Sequence, residues 1–254
     1  MFSQLIILLI YLLNFINSLQ TNQSYARYAH ASALIDGKLY FMFGNLLDSV
    51  GHTTSTRDLF YLDVSQPFTN SLPSLVDIQS NLPVTIVWST ASASGHNRST
   101  IFAFGGYLTN LASGQLDTNY LVFTFQTPDG PWQNPSISGT PPITAVHSGV
   151  KSVIDENGKM YLFGGDGPTT TGTAGIYNSM YILDTINLMW TKSSDAPFNR
   201  TQSANVLLKN GEIWYIGGGT TTAGTVVTAD INTVSMQVLL LKKIGLLINI
   251  FYLL

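Results

Sequence analysis

Short apolar stretches that end in glycine recur along this chain. The clearest is residues 159–165, KMYLFGG, which follows the turn sequence DENG and precedes a second apolar stretch, residues 181–190, that closes with tryptophan. Runs of about five apolar or aromatic residues bounded by Gly, Asn and Asp are typical of buried β-strands joined by turns. Because weaker copies of this pattern occur elsewhere, we expect a chain built from repeats.

The copies lie at similar intervals. The first members of the glycine pairs are taken as Gly44, Gly105, Gly164 and Gly217, which are 61, 59 and 53 residues apart. The residues that follow them are Asn45, Gly106, Gly165 and Gly218. The second copy ends near Trp132 and the third near Trp190, six residues after Asp184. The pattern predicts units at about 27–68, 84–132, 144–190 and 201–236, with a linker at 69–83 between the first two.

This arrangement resembles the kelch repeat, in which each copy forms one four-stranded blade of a β-propeller. The third unit carries the resemblance best, through Gly164, Gly165, Tyr181, Asp184 and Trp190. The first unit departs from it by Asn45 in place of the second glycine and by an extra residue in FMF. The resemblance implies an all-β kelch-type propeller over residues 27–236. Only about four blades are readable, so we expect an incomplete propeller whose bare edges self-associate or aggregate.

Each recurring residue has a physical reason in such a blade. Paired glycines can adopt φ values that other residues avoid, and without a side chain they admit a neighbouring blade closely. The late tryptophan offers a large apolar surface that fills the wedge between twisted sheets, with its N–H satisfied at the edge. These residues are therefore expected to be structural.

Both ends of the sequence are apolar. Residues 1–18 include an apolar run at 5–13 that is too short to span a bilayer and has the length of a signal-peptide core. We therefore expect a cleaved leader, and a protein that is secreted or displayed at the cell surface. The sequons at Asn22, Asn97 and Asn199 agree with that route and are candidate glycosylation sites.

The C-terminal segment 237–254 breaks the repeat, and the fourth unit is expected to lose its last strand to it. Three explanations stay open for the apolar stretch from Val238 to Leu254. It could be a membrane anchor, although Lys242 and Lys243 interrupt it, or the tail of a lipid-anchor signal. We favour the third, that the reading frame has left the family's coding sequence.

Composition excludes several classes of function. Charged residues make up 10% of the chain and the formal net charge is -3, so no basic patch favours nucleic acid. The chain has no cysteine, which excludes disulfides and thiol chemistry. Some kelch proteins are extracellular copper oxidases that resemble galactose oxidase, and their cofactor needs a tyrosine–cysteine cross-link that cannot form here. A degenerate relative of those oxidases is the alternative to a binding protein.

No catalytic constellation is visible, and no cofactor is expected. The chain lacks a GxSxG motif and a GxGxxG motif that opens a helix. His30 and His147 are both expected at the start of the first strand of their units, as inherited structural residues.

The loops after the glycine pairs are expected to gather at one end of the propeller, where function concentrates. The candidate binding residues on these loops are Asp48, His52, Tyr107, Asn110, Asp166 and Tyr177. The sequence therefore predicts a non-catalytic module that binds a protein or glycan partner.

Overall fold

The computed structural model describes residues 26–48, 50–65, 67, 75–94, 98–142, 146–168, 173–222, 225–228, 237–240 and 250–252. Its regular elements are all β-strands, as the sequence predicts. None of the described residues belongs to a helix with the length and hydropathy that a membrane span requires. The predicted leader and the sequons at Asn22 and Asn97 lie outside the described residues.

Four large antiparallel sheets follow one another along the chain, and we name them blades 1 to 4. Blade 1 has the strand order Ala31–Ile35, Lys38–Met42, Leu59–Asp63, Leu75–Ile78. Blade 2 has the order Thr90–Ser94, Thr100–Phe104, Val122–Gln126, Trp132–Gln133. Blade 3 has the order Ser152–Ile154, Lys159–Phe163, Met180–Asp184, Met189–Lys192, with Ser138–Gly139 parallel to the last strand. Blade 4 has the order Ala204–Leu207, Glu212–Ile216, Gln237–Leu240, Ile250–Tyr252.

Four small antiparallel sheets, which we call ribbons, lie beside the blades at the end of the molecule where the second strand of each blade stops. The first ribbon joins Arg27–Tyr28, Asn45–Leu47 and Thr53–Ser55. The other three ribbons pair Val84–Val87 with Tyr107–Asn110, Asp166–Pro168 with Ala174–Ile176, and Gly219–Thr222 with Thr225–Thr228. We call this end of the molecule the loop end.

The first strands of successive blades pack against one another around a common axis. Ala31–Ile35 contacts Thr90–Ser94, which contacts Ser152–Ile154, which in turn contacts Ala204–Leu207. Each blade therefore runs outward from its first strand to its fourth.

Strand alternation interleaves the blades. Successive residues of a strand point to opposite faces, so the second strand of a blade supplies side chains to two cores. In blade 2, Ile101 and Ala103 pack in the core shared with blade 1. Phe102 and Phe104 pack in the core shared with blade 3. The same division holds in blade 3, so three apolar cores hold four blades together.

The two late tryptophans fill the gap toward the preceding blade. The ring of Trp132 lies 5.1 Å from that of Phe43, and the ring of Trp190 lies 5.8 Å from that of Phe104. Both tryptophans are buried. The expectation that the indole N–H is satisfied is wrong for Trp132, whose Nε1 is buried without a hydrogen-bond partner in the described part of the chain.

The glycine pairs need one correction of register. Gly105 and Gly164 follow the second strand directly, with φ of 65° and 71°. The residue at this position in blade 1 is Phe43, with φ of 63°, and Gly44 holds the second position with φ of 92°. Pairing Gly44 with Asn45 was therefore wrong by one residue, and FMF carries no extra residue. A phenylalanine can replace the glycine, and its ring packs on Trp132.

Two further expectations differ from the structure. The linker predicted at 69–83 contains the fourth strand of blade 1, Leu75–Ile78, which carries no tryptophan to mark it. Contrary to the expectation for the fourth unit, Gln237–Leu240 and Ile250–Tyr252 pair as the outer strands of blade 4. Runs of Val, Leu and Ile fit a strand as well as an apolar tail, so composition alone could not distinguish them.

We predict that Gly164→Ala destabilises the protein more than Gly114→Ala. Both glycines have a similar positive φ, 71° and 68°, which costs an alanine about 1–2 kcal/mol. At Gly164 the added Cβ would also overlap the carbonyl oxygen of Arg200, whereas at Gly114 it would meet nothing within 4 Å. Chemical denaturation should show a free energy of unfolding lower by about 2 kcal/mol or more in the first variant than in the second. Equal losses would contradict the close packing of blades at this point.

Candidate functional site

A belt of backbone hydrogen bonds links the four blades at the loop end. The N–H of Trp88 donates to the carbonyl of Ala29 at 2.8 Å. In the same way, the N–H of Gly149 donates to the Trp88 carbonyl at 3.0 Å, and the N–H of Gln202 donates to the Gly149 carbonyl at 2.7 Å. Each of these four residues lies at the same repeat position, just before the innermost strand of its blade. The belt therefore runs around the axis from blade 1 to blade 4.

All four belt residues adopt positive φ, namely 57° at Ala29, 61° at Trp88, 66° at Gly149 and 55° at Gln202. Only one of them is glycine, so the other three hold a strained conformation that the surrounding hydrogen bonds must maintain. The positive φ values at these positions turn the chain from the ribbons into the innermost strands. It also fixes the position of the side chains at the axis.

A cavity of about 660 Å³ lies at the axis below the belt. Its lining comes from the first residues of the innermost strands of all four blades. These are residues 29–32, 88–91, 149, 151–152 and 202–205. The volume lies within the range of small-ligand sites, which is about 300–1,000 Å³. We call this space the axial cavity.

The axial cavity is lined by polar groups and one exposed indole. Trp88 is exposed and borders it together with Lys151, His30 and the amides of Gln202 and Asn205. Five hydroxyl residues also line it, namely Ser32, Ser89, Thr90, Ser152 and Ser203. No Asp or Glu is among the described residues that line the cavity.

The electrostatics of the axial cavity favour an anionic group. The surrounding protein desolvates Lys151 and lowers its pKa, and within the described chain its ammonium group makes no ion pair. Burial lowers the pKa of His30, and the positive charges of Arg27 and Lys151 lower it further. A bound carboxylate would relieve the unpaired charge of Lys151.

Of the six candidate loop residues, Tyr107 and Asp166 meet across two blades. The Tyr107 hydroxyl donates to Asp166 at 3.4 Å, and the carboxylate of Asp166 also accepts from Ser148 (2.7 Å) and Thr201 (2.6 Å). Because these donors come from segments of three blades, Asp166 links the three blades by hydrogen bonds. Its oxygens are occupied by structural bonds.

The other four candidates bond within their own loops. His52 Nδ1 lies 3.1 Å from the Asp48 carboxylate, and both side chains are exposed. Asn110 donates to Asp117 at 2.9 Å, and the Tyr177 hydroxyl donates to the Pro168 carbonyl at 2.8 Å. The structure therefore does not bring the six residues together as one site.

The two histidines in the repeats are not equivalent, contrary to expectation. His147 lies two residues before Gly149, whereas His30 directly follows Ala29 and borders the axial cavity. His147 is buried, its Nε2 lies 2.7 Å from the Gly164 carbonyl, and its ring lies 4.5 Å from that of Tyr177. It therefore acts as a neutral structural donor.

The sequon at Asn199 lies at the loop end. Its side-chain carbonyl accepts from Thr220 (2.7 Å) and from the Thr221 N–H (3.0 Å), and its amide nitrogen donates to Thr221. A glycan would be attached to that same nitrogen, so glycosylation at Asn199 competes with this loop contact. It stays a prediction.

The residues around the axis were missed as candidates. Trp88, Lys151 and Gln202 were not singled out, because the sequence argument followed loops after the glycine pairs. They could have been found from the fact that residues 29, 88, 149 and 202 occupy the same place in the four repeats, just before the innermost strand. This correspondence becomes visible only once the strands are aligned. Over the described chain, no group of three His, Asp or Glu residues is close enough to hold a metal ion.

The comparison with known families agrees with this architecture. The family described as KLHDC2/KLHL20/DRC7 Kelch-repeats domain matches residues 29–239. The chain belongs to the kelch-repeat family. The kelch-type propeller fold predicted from the glycine and tryptophan pattern is thereby confirmed.

Solved structures also resemble this chain. One of them, titled "Structure of YjhT", shares 16% sequence identity and a TM-score of 0.46, covering 87% of this chain and 83% of that one. No curated protein matches this kelch chain.

We predict that His147 makes stability depend on pH. Burial lowers its pKa from 6.5 to about 4, although the bond to Gly164 and the charge of Asp166 act in the opposite direction. Between these pH values the unfolded chain binds a proton that the folded chain does not. The contribution of neutral His147 to the free energy of unfolding is therefore complete above about pH 6.5, and it is lost as the pH falls toward 4.

Denaturation at several pH values tests this prediction. The wild type should lose about 3 kcal/mol more than His147→Asn over that pH interval. The matched control is His52→Asn, the same substitution at an exposed loop position, which should retain more of the wild-type pH dependence than His147→Asn does. An unchanged slope in His147→Asn would contradict the assignment.

Proposed function

We propose that this kelch protein is a non-catalytic binding module that takes a segment of a protein partner into the axial cavity. The observation that carries the proposal is the composition of that cavity, where Trp88 and Lys151 face an open volume of about 660 Å³ without a neighbouring acid. Kelch-repeat domains typically act as protein-interaction modules, which favours a protein partner.

The cavity chemistry defines the partner segment. The unpaired ammonium group of Lys151 favours an acidic side chain or another anionic group. The exposed indole of Trp88 offers an apolar surface against which an aliphatic or aromatic side chain can pack. The Gln202 amide and the Ser32 hydroxyl, which also line the cavity, can bind the backbone of an extended segment. We therefore expect a partner segment that combines an acidic and an apolar residue.

The hydrogen bonds made by the polar residues outside the axial cavity support a binding role over a catalytic one. Asp166 is engaged by Ser148 and Thr201, and His147 is buried against Gly164. A catalytic acid or base must be free to reach a substrate. Secretion or display at the cell surface is part of the proposal and rests on the apolar run at residues 5–13 and the sequons.

Selection from a displayed peptide library against the full chain tests the proposed site. The selected peptides should carry an acidic residue, and Lys151→Met should weaken their binding about tenfold or more, since it removes a charge-assisted bond. Trp88→Ala should weaken binding by a similar factor. Isothermal titration calorimetry measures both.

Lys209→Met is the matched control for the charge change. Lys209 borders a separate pocket between the hairpins that join the first two strands of blades 3 and 4, away from the loop end. This variant should bind the peptides as the wild type does. A library that yields no binder, or peptides bound equally well by Lys151→Met, would contradict the proposal. If an array of anionic glycans gives Lys151-dependent binding instead, the partner class is wrong.

A further inference from the structure

His30 and Ser89 line the axial cavity, and each has a buried polar atom that the rest of the protein does not satisfy. Nδ1 of His30 and Oγ of Ser89 have no hydrogen-bond partner among the described residues. Both residues hold one repeat position, directly after the belt residue of blades 1 and 2. Buried polar side chains are nearly always hydrogen-bonded in folded proteins. Two unpaired ones beside an open volume therefore point to groups that serve a bound molecule.

Two cations act on the imidazole of His30. Lys151, from blade 3, lines the same cavity, and Arg27 comes from the first strand of the first ribbon. The carboxylate of Asp58 pairs with Arg27 at 3.4 Å, and among the described residues no acid acts on His30 directly. From the neighbouring strand of blade 1, the ring that faces His30 is that of Phe41, at 6.0 Å between ring centroids.

These surroundings disfavour a proton on His30 in the protein alone. Burial lowers its pKa below the usual 6.5, and the charges of Arg27 and Lys151 lower it further. A carboxylate in the cavity acts in the opposite direction, since a nearby negative charge favours the imidazolium form. Binding of an anion and protonation of His30 therefore each favour the other.

We propose that His30 makes the axial cavity sensitive to acidity, so that an anionic partner segment binds more tightly as the pH falls. With His30 neutral, Lys151 alone supplies positive charge to the cavity, and with His30 protonated two lining residues supply it. The change falls between about pH 7.5 and about pH 5.5, where histidine titrates and Asp and Glu side chains stay ionised. This regulation rests on the proposed function, because it concerns the same site and the same acidic residue of the partner.

Proton NMR of the histidine rings tests the coupling without a selected peptide. The probe is N-acetylaspartate methylamide, which carries an acidic side chain between two peptide groups. The resonance of His30 is the one that is absent from His30→Asn, and His30→Gln provides the same assignment. The probe should raise the pKa of His30, whereas uncharged N-acetylasparagine methylamide should leave it unchanged.

The same measurement on charge variants tests the arrangement of the cations. Lys151→Met should raise the pKa of His30 with no probe present, because it removes one of the two charges that lower it. The matched control Lys209→Met, at the separate pocket between the hairpins, should not change that pKa. A pKa of His30 that neither Lys151→Met nor the aspartate probe raises overturns the proposal.

Calorimetry on a selected peptide that lacks histidine tests the effect on affinity. The wild type should bind it about fivefold or more tightly at about pH 5.5 than at about pH 7.5. Binding should also take up protons, which is measured by comparing buffers of different ionisation enthalpy. His147 stays neutral over this range, since its pKa is about 4. His30→Asn should lose most of both effects, and the exposed His52→Asn should retain more of them than His30→Asn does.

The outcomes separate this regulation from the binding function itself. Peptides that need Lys151 but bind equally well at both pH values overturn the role of His30 and leave the binding site in place. Tighter binding in acid that persists in His30→Asn overturns that role as well. Peptides that Lys151→Met binds as well as the wild type overturn the binding site. If the library yields no peptide, the NMR titration with the aspartate probe decides the role of His30 alone.

Discussion

The close approach of the glycine pairs of blades 2 and 3 to the next blade is the contact on which the rest of the structure depends. The N–H of Gly106 donates to the His147 carbonyl at 3.0 Å, and that of Gly165 donates to the Arg200 carbonyl at 2.7 Å. A side chain at Gly105 or Gly164 would occupy the space of those same carbonyl oxygens. The spacing between neighbouring blades is therefore determined by these backbone contacts, and the apolar side chains fill the space left between the blades. Phe43 shows that the first position tolerates a side chain where a tryptophan can receive it.

This constraint also decides where function can lie. The chain must turn sharply between each ribbon and the innermost strand, and that turn places the belt residues with positive φ around the axis. Polar groups farther out, such as Asp166 and Asn199, hold ribbons and loops together. Around the axis the innermost strands border an open cavity, and Trp88 and Lys151 are among its lining residues. The binding site proposed here is thus a consequence of the way the blades meet.

The architecture was predictable from the sequence, because glycine pairs and tryptophans recur where the backbones of blades 2 and 3 approach their neighbours and wedges are filled. The fourth strand of blade 1 was not, since Leu75–Ile78 carries no tryptophan and lies among prolines and polar residues. The outer strands of blade 4 were hidden because an apolar run is ambiguous between strand and tail. The axial cavity was missed for a different reason. Ala29, Trp88, Gly149 and Gln202 share a conformation and no residue type, so their equivalence appears only in the backbone.

Hydrogen–deuterium exchange with and without a selected peptide tests most directly whether the axial cavity is the binding site. The account predicts slower exchange on binding in the segments 88–91, 149–152 and 202–205, which contribute lining residues of the cavity. The hairpins at 155–158 and 208–211, which border a separate pocket, should exchange at an unchanged rate. Protection confined to those hairpins, with no change around the axis, would contradict it.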